Sequence, residues 1–301
     1  MGRTACALRV AIPSHMRMAV GIPRIVDCAY VDREIKGRML CAPTNATLPP
    51  YRRTALPPYH LPFTMPSSPQ TAFVTGATEG IGRATALALG RAGYKVGVCA
   101  RTESKIRSVL TDLDREGIEA AGCPADVGNP IEAARAVDEA TRALGEIDVL
   151  VNNAGILIAK PLEELTLDDW DATMTTNVRS LYLVTRAVLP SMRRRRHGSI
   201  VNVASLAGRN GFAGGTAYAA SKHAVLGFSR SLMLEVRKDN VRVIAICPGS
   251  VDTSMMHDQP MLKPDPSRIL QPEDVAAAIL DAISLPERAM VSELDIRPTN
   301  P

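Results

Sequence analysis

The chain has 301 residues, of which 46% are hydrophobic and 22% charged, and its formal net charge at neutral pH is +4. This apolar fraction is enough to build a large buried core, so the composition excludes a chain that is disordered throughout. No apolar run reaches the roughly 18 residues that a membrane-spanning helix needs, so we expect no membrane association.

Residues 1–64 differ in composition from the rest of the chain. They hold nine of the 35 Lys and Arg but only three of the 31 Asp and Glu, and residues 41–70 hold eight of the 22 prolines. This bias favours extended or disordered structure. We therefore expect a basic extension at 1–64, disordered or absent from the mature protein, and a folded domain at 65–301. An organellar targeting peptide and a nucleic-acid-binding tail remain the alternatives.

The rest of the chain alternates between strand and helix patterns. Strands are predicted at 71–75, 94–100, 119–124, 148–151, 199–204, 241–246 and 291–296, and helices at 83–92, 103–115, 130–143, 176–194, 218–236 and 272–283. Strands separated by helix-length segments imply right-handed crossovers and a parallel sheet with helices on both faces. We therefore predict a single α/β domain with a doubly wound parallel sheet. Its ligands should lie at the carboxyl ends of the strands.

The first predicted strand leads directly into a glycine-rich turn, Gly76-Ala-Thr-Glu-Gly80-Ile-Gly82, and then into a helix. Glycines allow a sharp turn and the close approach of a phosphate, which the helix N-terminus stabilises. The turn therefore predicts a dinucleotide site. Its spacing differs from G-x-G-x-x-G, so a glycine-rich helix cap without a ligand remains the alternative.

Tyr218 and Lys222 are four residues apart in a predicted helix and therefore share one face. An ammonium close to a phenol favours the ionised form, which would let Tyr218 act as an acid and a base near neutral pH. Ser205 stands 13 residues before Tyr218, at the end of a predicted strand. A Tyr/Lys pair at this spacing is common by chance, so its context decides the interpretation.

Six motifs, in order, resemble the short-chain dehydrogenase/reductase family. They are Thr75-Gly76-x3-Gly80-Ile81-Gly82, Asn152-Asn153-Ala154-Gly155, Asn177, Ser205, Tyr218-x3-Lys222 and Pro248-Gly249. The resemblance spans roughly residues 70–298. It implies a Rossmann-type domain and an NAD(P)-dependent oxidoreductase. Such an enzyme transfers hydride between NADPH and a carbonyl or secondary alcohol, for example a 3-oxoacyl thioester or a similar ketone.

The resemblance assigns catalysis to Asn177, Ser205, Tyr218 and Lys222. Tyr218 would donate a proton to the carbonyl oxygen that Ser205 holds. Lys222 would lower the pKa of the phenol and bind the nicotinamide ribose, and Asn177 would anchor a water that relays protons to Lys222. No metal site is predicted. A non-catalytic NADP-binding sensor or scaffold is the alternative function.

The resemblance also assigns cofactor binding, to Gly76, Thr78, Gly80, Ile81, Gly82, Arg101, Asp126, Val127, Asn153, Ala154, Gly155, Tyr218, Lys222, Pro248, Gly249, Val251 and Thr253. Arg101 follows the second strand, where NAD enzymes usually place an acid. Because Arg101 can hold a 2′-phosphate with two hydrogen bonds, NADP is the predicted cofactor, with NAD as the alternative. Glu79 lies where some NADP enzymes of the family carry a second basic residue.

The remaining expectations concern partners and location. The six cysteines lack metal-binding spacing, which favours reduced thiols in a cytoplasmic protein. Arg193 to Arg196 are interpreted as a solvated helix end rather than a nucleic-acid patch. The Met- and Pro-rich residues 254–270 predict a mobile lid over an apolar or variable small-molecule substrate. The resemblance implies a homodimer or homotetramer formed through the helices that contain Asn177 and Tyr218.

Overall fold

The structure is a computed structural model that describes residues 70–259, 261–262 and 265–299. Within these ranges one sheet of seven parallel strands has the order β3-β2-β1-β4-β5-β6-β7. The strands are β1 (Thr71–Thr75), β2 (Lys95–Ala100), β3 (Ala120–Pro124), β4 (Ile147–Asn152), β5 (Gly198–Val203), β6 (Val241–Pro248) and β7 (Glu293–Ile296). The strand order reverses between β1 and β4, which creates the crevice where such sheets bind ligands. The predicted fold class is confirmed. The expectation for residues 1–64 lies outside the described residues.

Helices cover both faces of the sheet. One face carries α1 (Gly80–Arg91), α2 (Glu103–Arg115) and α8 (Pro272–Ile283). The other carries α3 (Pro130–Leu144), α5 (Ser180–Arg195) and α6 (Thr216–Val236). Two shorter helices, α4 (Leu167–Met174) and α7 (Ser254–His257), lie in the connections.

Alternating side chains of the strands fill two separate cores. In β1, for example, Phe73 packs against α3 and α5, whereas its neighbour Val74 packs on the opposite face with α1 and α8. Both side chains are fully buried. Burying an apolar side chain of this size contributes about 1.5–3 kcal/mol, so the two cores fix the register of the sheet.

The predicted continuous helix at 176–194 is wrong at its start. The chain becomes helical at Leu167, where the Thr166 hydroxyl accepts a hydrogen bond from the Asp169 N–H and the Asp169 carboxylate accepts one from the Thr166 N–H, both at 3.1 Å. This capping box starts α4, and a π-helical turn at Thr175–Arg179 joins α4 to α5. A π-helical turn inserts an extra residue into the helix and is frequent at functional sites. Here it carries Asn177.

The arginine cluster lies at the C-terminal end of α5, as predicted. Each of its members pairs with an acid: Arg193 and Arg196 with Asp239, Arg194 with Glu146, and Arg195 with Asp148. These pairs fit the helix-end interpretation. Among the described residues, no helix combines the length and apolar character needed to span a bilayer.

Candidate active site

The glycine turn between β1 and α1 has the backbone geometry that the sequence predicts. Gly76 and Gly80 adopt left-handed conformations with φ of +63° and +52°. A Cβ on Gly82 would lie only 2.2 Å from the Gly76 carbonyl oxygen. Glu79, which precedes α1, makes no capping hydrogen bond, and the first turn of α1 contains no acid. The first N–H groups of α1 are therefore left without a capping side chain, as an approaching phosphate requires.

The asparagine turn after β4 braces the glycine turn. The Asn153 side-chain amide donates to the carbonyl oxygens of Thr75 and Gly76, each at 3.0 Å. In return, the Thr75 hydroxyl accepts hydrogen bonds from the N–H groups of Asn153 and Ala154 at 3.0 Å. Four hydrogen bonds thus join the ends of the two strands that flank the sheet's crevice. The structure agrees with a structural role for Asn153 beside the cofactor position.

One pocket collects most of the residues predicted to bind the cofactor. Its lining includes Gly76, Thr78, Gly80, Ile81, Arg101, Asp126, Val127, Asn153, Ala154, Gly155 and Thr253. Gly82 instead packs beneath the turn. Three more of the predicted residues lie outside this lining. Pro248 ends β6, Gly249 donates its N–H to the Ile296 carbonyl oxygen at 2.8 Å, and Val251 is buried. The lining also includes Glu79 and Lys105, charged residues that the sequence did not assign to the site.

Arg101 follows β2 at the rim of this pocket, and its side chain is exposed. Within the described part of the chain it forms no ion pair or hydrogen bond with another residue. Its guanidinium is therefore available for an anionic group of a ligand, as the predicted contact with a 2′-phosphate requires.

Tyr218 and Ser205 lie in contact, beyond the carboxyl end of β5. Tyr218 is half-buried in the first turns of α6, and burial raises the pKa of its phenol, which a hydrogen bond with Ser205 partly offsets. The Ser205 hydroxyl also accepts a hydrogen bond from the Ala207 N–H at 3.1 Å, because Ser205 caps a short 3₁₀ turn. The raised pKa keeps the phenol neutral, so it can donate a hydrogen bond.

Lys222 is buried beside Tyr218, with its side-chain nitrogen 5.6 Å from the centre of the phenol ring. The ammonium donates to the Val203 carbonyl oxygen at 2.9 Å, and burial lowers its pKa to about 8. Burial also raises the pKa of Tyr218, and the lowering of that pKa by Lys222 stays a prediction. Both shifts arise because desolvation opposes ionisation of each group.

Asn177 is buried and fixes the chain that follows the asparagine turn. Its side-chain oxygen accepts from the Ile156 N–H at 2.8 Å, and its amide donates to the Ile156 carbonyl oxygen and to the Ser221 hydroxyl, each at 2.9 Å. A Cβ on Gly155 would lie 3.3 Å from the Asn177 oxygen and 3.7 Å from the Lys222 nitrogen. The structure thus brings Asn177 and Lys222 to the same glycine. Ser221, which the sequence interpretation missed, connects them through α6.

Apolar side chains lie next to the phenol. The Phe212 ring meets the Tyr218 ring edge-on, with 6.3 Å between their centres. Met261, in the segment predicted as a lid, lies beside Gly214, and the Gln259 side-chain oxygen accepts from the Ala159 N–H at 3.0 Å. The segment therefore contacts the loop that precedes α4. Its mobility stays a prediction.

No group of three or more His, Cys, Asp or Glu in the described residues could hold a metal ion. The described cysteines, Cys99, Cys123 and Cys247, are buried free thiols. Burial raises the pKa of Cys123 and of Cys247 to about 11, so both are protonated and unreactive at neutral pH.

Comparison with known proteins gives matches over this same region. The short chain dehydrogenase family matches residues 70–261. A Streptomyces virginiae protein named as a monensin polyketide synthase ketoacyl reductase is 44% identical over 191 residues, which cover 63% of this chain and 73% of that protein.

Two solved structures share the fold. The actinorhodin polyketide ketoreductase with NADPH is 34% identical, with a TM-score of 0.72 and coverage of 76% of this chain and 96% of that chain. The alcohol dehydrogenase of the archaeon Thermococcus sibiricus, complexed with 5-hydroxy-NADP, is 29% identical, with a TM-score of 0.72 and coverage of 77% and 97%. Together with the site geometry, these matches show that the chain belongs to the short chain dehydrogenase family.

Proposed function

We propose that this protein is an NADPH-dependent carbonyl reductase that transfers hydride between NADPH and a ketone or secondary alcohol. The observation that carries the proposal is the placement of the Tyr218 phenol next to Ser205 and next to the buried Lys222, whose side-chain nitrogen lies 5.6 Å from the centre of the phenol ring. Two hydroxyls with a neighbouring ammonium form an acid–base site for a carbonyl oxygen.

The pocket residues fit the proposed cofactor. The left-handed Gly76 and Gly80 and the uncapped N-terminus of α1 would accept the pyrophosphate. Arg101 would pair with the 2′-phosphate, and Asp126 with Val127 would line the adenine position. Pro248, Gly249, Val251 and Thr253 would border the nicotinamide. Bound NADPH would supply the hydride.

The protein's own residues would handle the proton. Ser205 and Tyr218 would both donate hydrogen bonds to the carbonyl oxygen, and the negative charge that grows there would be stabilised by these donors. Tyr218 would transfer its proton to that oxygen. Lys222 would stabilise the resulting phenolate, because an ammonium near a phenolate favours the ionised form. Asn177 holds the backbone of Ile156 beside Lys222 and would help to order a water that returns the proton.

We further propose a 3-oxoacyl thioester or a similar ketone as the substrate class. The names of the ketoacyl reductase and the polyketide ketoreductase among the similar proteins support it. The edge-on contact of Phe212 with Tyr218 supports an apolar surface next to the reacting carbonyl. The sensor or scaffold alternative is less well supported, because Tyr218, Lys222, Ser205 and Asn177 are all present and lie close together.

The proposal includes the setting of the enzyme. The catalytic domain would begin near residue 65 and work as a cytoplasmic homodimer or homotetramer, without nucleic acid or membrane as a partner. Size measurement by light scattering on the full chain and on the chain from Met65 onward tests the assembly. Equal turnover by the two chains would support the domain boundary, and loss of turnover on shortening would contradict it.

Turnover on ketones tests the function directly. The full chain would be mixed with NADPH, or with NADH in parallel, and with a panel of 3-oxoacyl thioesters, aromatic ketones and small aliphatic ketones. We expect oxidation of NADPH with the apolar 3-oxo substrates and little with NADH. NADPH binding without turnover on any substrate would favour the sensor alternative, and absence of NADPH binding would contradict both.

A further inference from the structure

Two charged residues at the rim of the cofactor pocket have no role in the site described so far. Glu79 precedes α1, and Lys105 lies in the first turn of α2. The Lys105 side-chain nitrogen lies 3.0 Å from a carboxylate oxygen of Glu79. Both side chains line the same pocket as Arg101, four residues before Lys105. The two residues thus add one negative and one positive charge to the pocket lining that contains Arg101.

Some charged side chains around this rim form ion pairs and others do not. Asp126, which also lines the pocket, accepts a hydrogen bond from the Gly128 N–H, and Glu103, two residues after Arg101, pairs with Arg107 at 2.5 Å, one turn further along α2. Glu79 pairs with Lys105, and Arg101 has no partner among the residues that the structure describes. Without Lys105, the carboxylate of Glu79 would repel any phosphate bound by Arg101. Lys105 is therefore placed to cancel that repulsion.

The ion pair between Lys105 and Glu79 is exposed, with 54% and 57% of the two side chains accessible. Exposed pairs contribute little net stability, so the ammonium can change partners readily. A 2′-phosphate carries more negative charge than one carboxylate. The three donors of an ammonium can also serve two acceptors at once.

We propose that Lys105 is a second cation for the 2′-phosphate of NADPH, and that Glu79 weakens the preference for NADPH over NADH by competing for the same ammonium. The inference rests on the proposed function and assigns a specificity role to two residues of its cofactor site. Lys105 raises the affinity for NADPH, and Glu79 lowers it. NADH has no 2′-phosphate, so its affinity depends on neither residue.

Cofactor binding to the full chain tests this inference without any substrate. The dissociation constants of NADPH and NADH would be measured by fluorescence titration for the wild type, Lys105→Met, Glu79→Gln and the double variant. We expect Lys105→Met to weaken NADPH about tenfold, as for loss of a charge-assisted hydrogen bond, and to leave NADH within about twofold. Glu79→Gln should tighten NADPH by about threefold. Glu79→Gln should also offset part of the loss in the double variant.

Arg107→Met is the matched control, because Arg107 is exposed on the same helix and pairs with Glu103 outside the pocket lining. It should leave the ratio of the two dissociation constants unchanged. If the wild type prefers NADPH, either of two results would overturn the role of Lys105 alone. In the first, Lys105→Met changes the ratio of the two dissociation constants by less than twofold. In the second, Arg107→Met changes that ratio as much as Lys105→Met does. A wild type that binds NADH more tightly would overturn the NADPH assignment in the proposed function as well.

Discussion

The Asn177 side-chain amide donates a hydrogen bond to the Ser221 hydroxyl at 2.9 Å, and that hydroxyl donates to the Tyr218 carbonyl oxygen at 2.7 Å. Ser221 is fully buried. It therefore joins the π-helical turn that carries Asn177 to the first turns of α6, which carry Tyr218 and Lys222. The orientation of the Asn177 amide depends on this hydroxyl, because the acceptor fixes which end of the amide faces α6.

Replacing Ser221 by alanine should loosen this arrangement. We expect Ser221→Ala to lower kcat about tenfold and to reduce stability by about 1–3 kcal/mol, because a buried donor of Asn177 loses its acceptor. The dissociation constant of NADPH should change little. Steady-state kinetics with thermal unfolding measures both effects.

A double-mutant cycle separates positioning from a general loss of stability. If Ser221 acts through Asn177, Ser221→Ala should lower kcat much less in an Asn177→Ala background than in the wild type. An equal loss in both backgrounds would contradict the coupling.

Replacing Tyr218 by phenylalanine removes the proposed acid and keeps the ring. We expect kcat to fall by about 10²- to 10⁴-fold, the range for a well-placed general acid, while NADPH binds as in the wild type. Tyr182→Phe is the control, because Tyr182 lies on α5 with 46% of its surface exposed. Turnover by Tyr218→Phe at near wild-type rate would contradict the mechanism.

Arg101→Asp should shift the preference towards NADH. The substituted carboxylate would repel the 2′-phosphate and could accept a hydrogen bond from the 2′-hydroxyl of NADH. We expect kcat/KM for NADPH to fall at least about tenfold relative to that for NADH, since a charge-assisted pair is replaced by a repulsive one. An unchanged ratio would remove Arg101 from the cofactor site.

The fold could be predicted because it depends on local patterns, whereas most of the pocket residues were predicted through the family resemblance. The strand alternation and the glycine turn specify β1, α1 and the crevice between β1 and β4. The helix start at Leu167 was missed, although the capping box of Thr166 and Asp169 signals it in the sequence. The partners of Asn177 in the π-helical turn were also missed, because Asn177 donates hydrogen bonds to Ile156 and Ser221, which are distant in sequence.

The charges around Arg101 show a second limit of sequence interpretation. Glu79 alone argues against a 2′-phosphate, and only the folded chain brings Lys105, 26 residues later, to 3.0 Å from it. The pKa of Tyr218 is a third example, because desolvation by the surrounding fold raises that pKa and the i,i+4 spacing with Lys222 does not reveal this burial.

Replacing Gly82 by alanine should damage the glycine turn. The added Cβ would meet the Gly76 carbonyl oxygen at 2.2 Å and the Asn153 amide nitrogen at 2.4 Å. Backbone must then shift, so we expect a loss of about 1–3 kcal/mol in unfolding free energy, as for other overpacked sites, and weaker NADPH binding. Gly211→Ala is the control, because nothing lies within 4 Å of its added Cβ. Equal unfolding free energies for the two variants would contradict the close approach.

The stability of the protein should depend on pH through Lys222. Its pKa is about 8 in the folded protein and 10.5 for a lysine side chain in water, so between these values the unfolded chain binds more protons and stability rises with pH. The burial penalty is fully present below about pH 8, amounts to about 3 kcal/mol, and disappears above about pH 10.5. Tyr218 has the opposite effect, because its raised pKa stabilises the fold at lower pH and that stability is lost as pH rises above 10.

Urea unfolding of the Tyr218→Phe variant, with and without Lys222→Met, isolates the effect of the lysine. We expect the stability advantage of the Lys222→Met variant to shrink steadily from pH 7.5 to pH 10.5. An advantage that stays constant over this range would show that Lys222 titrates in the folded protein as it does in water.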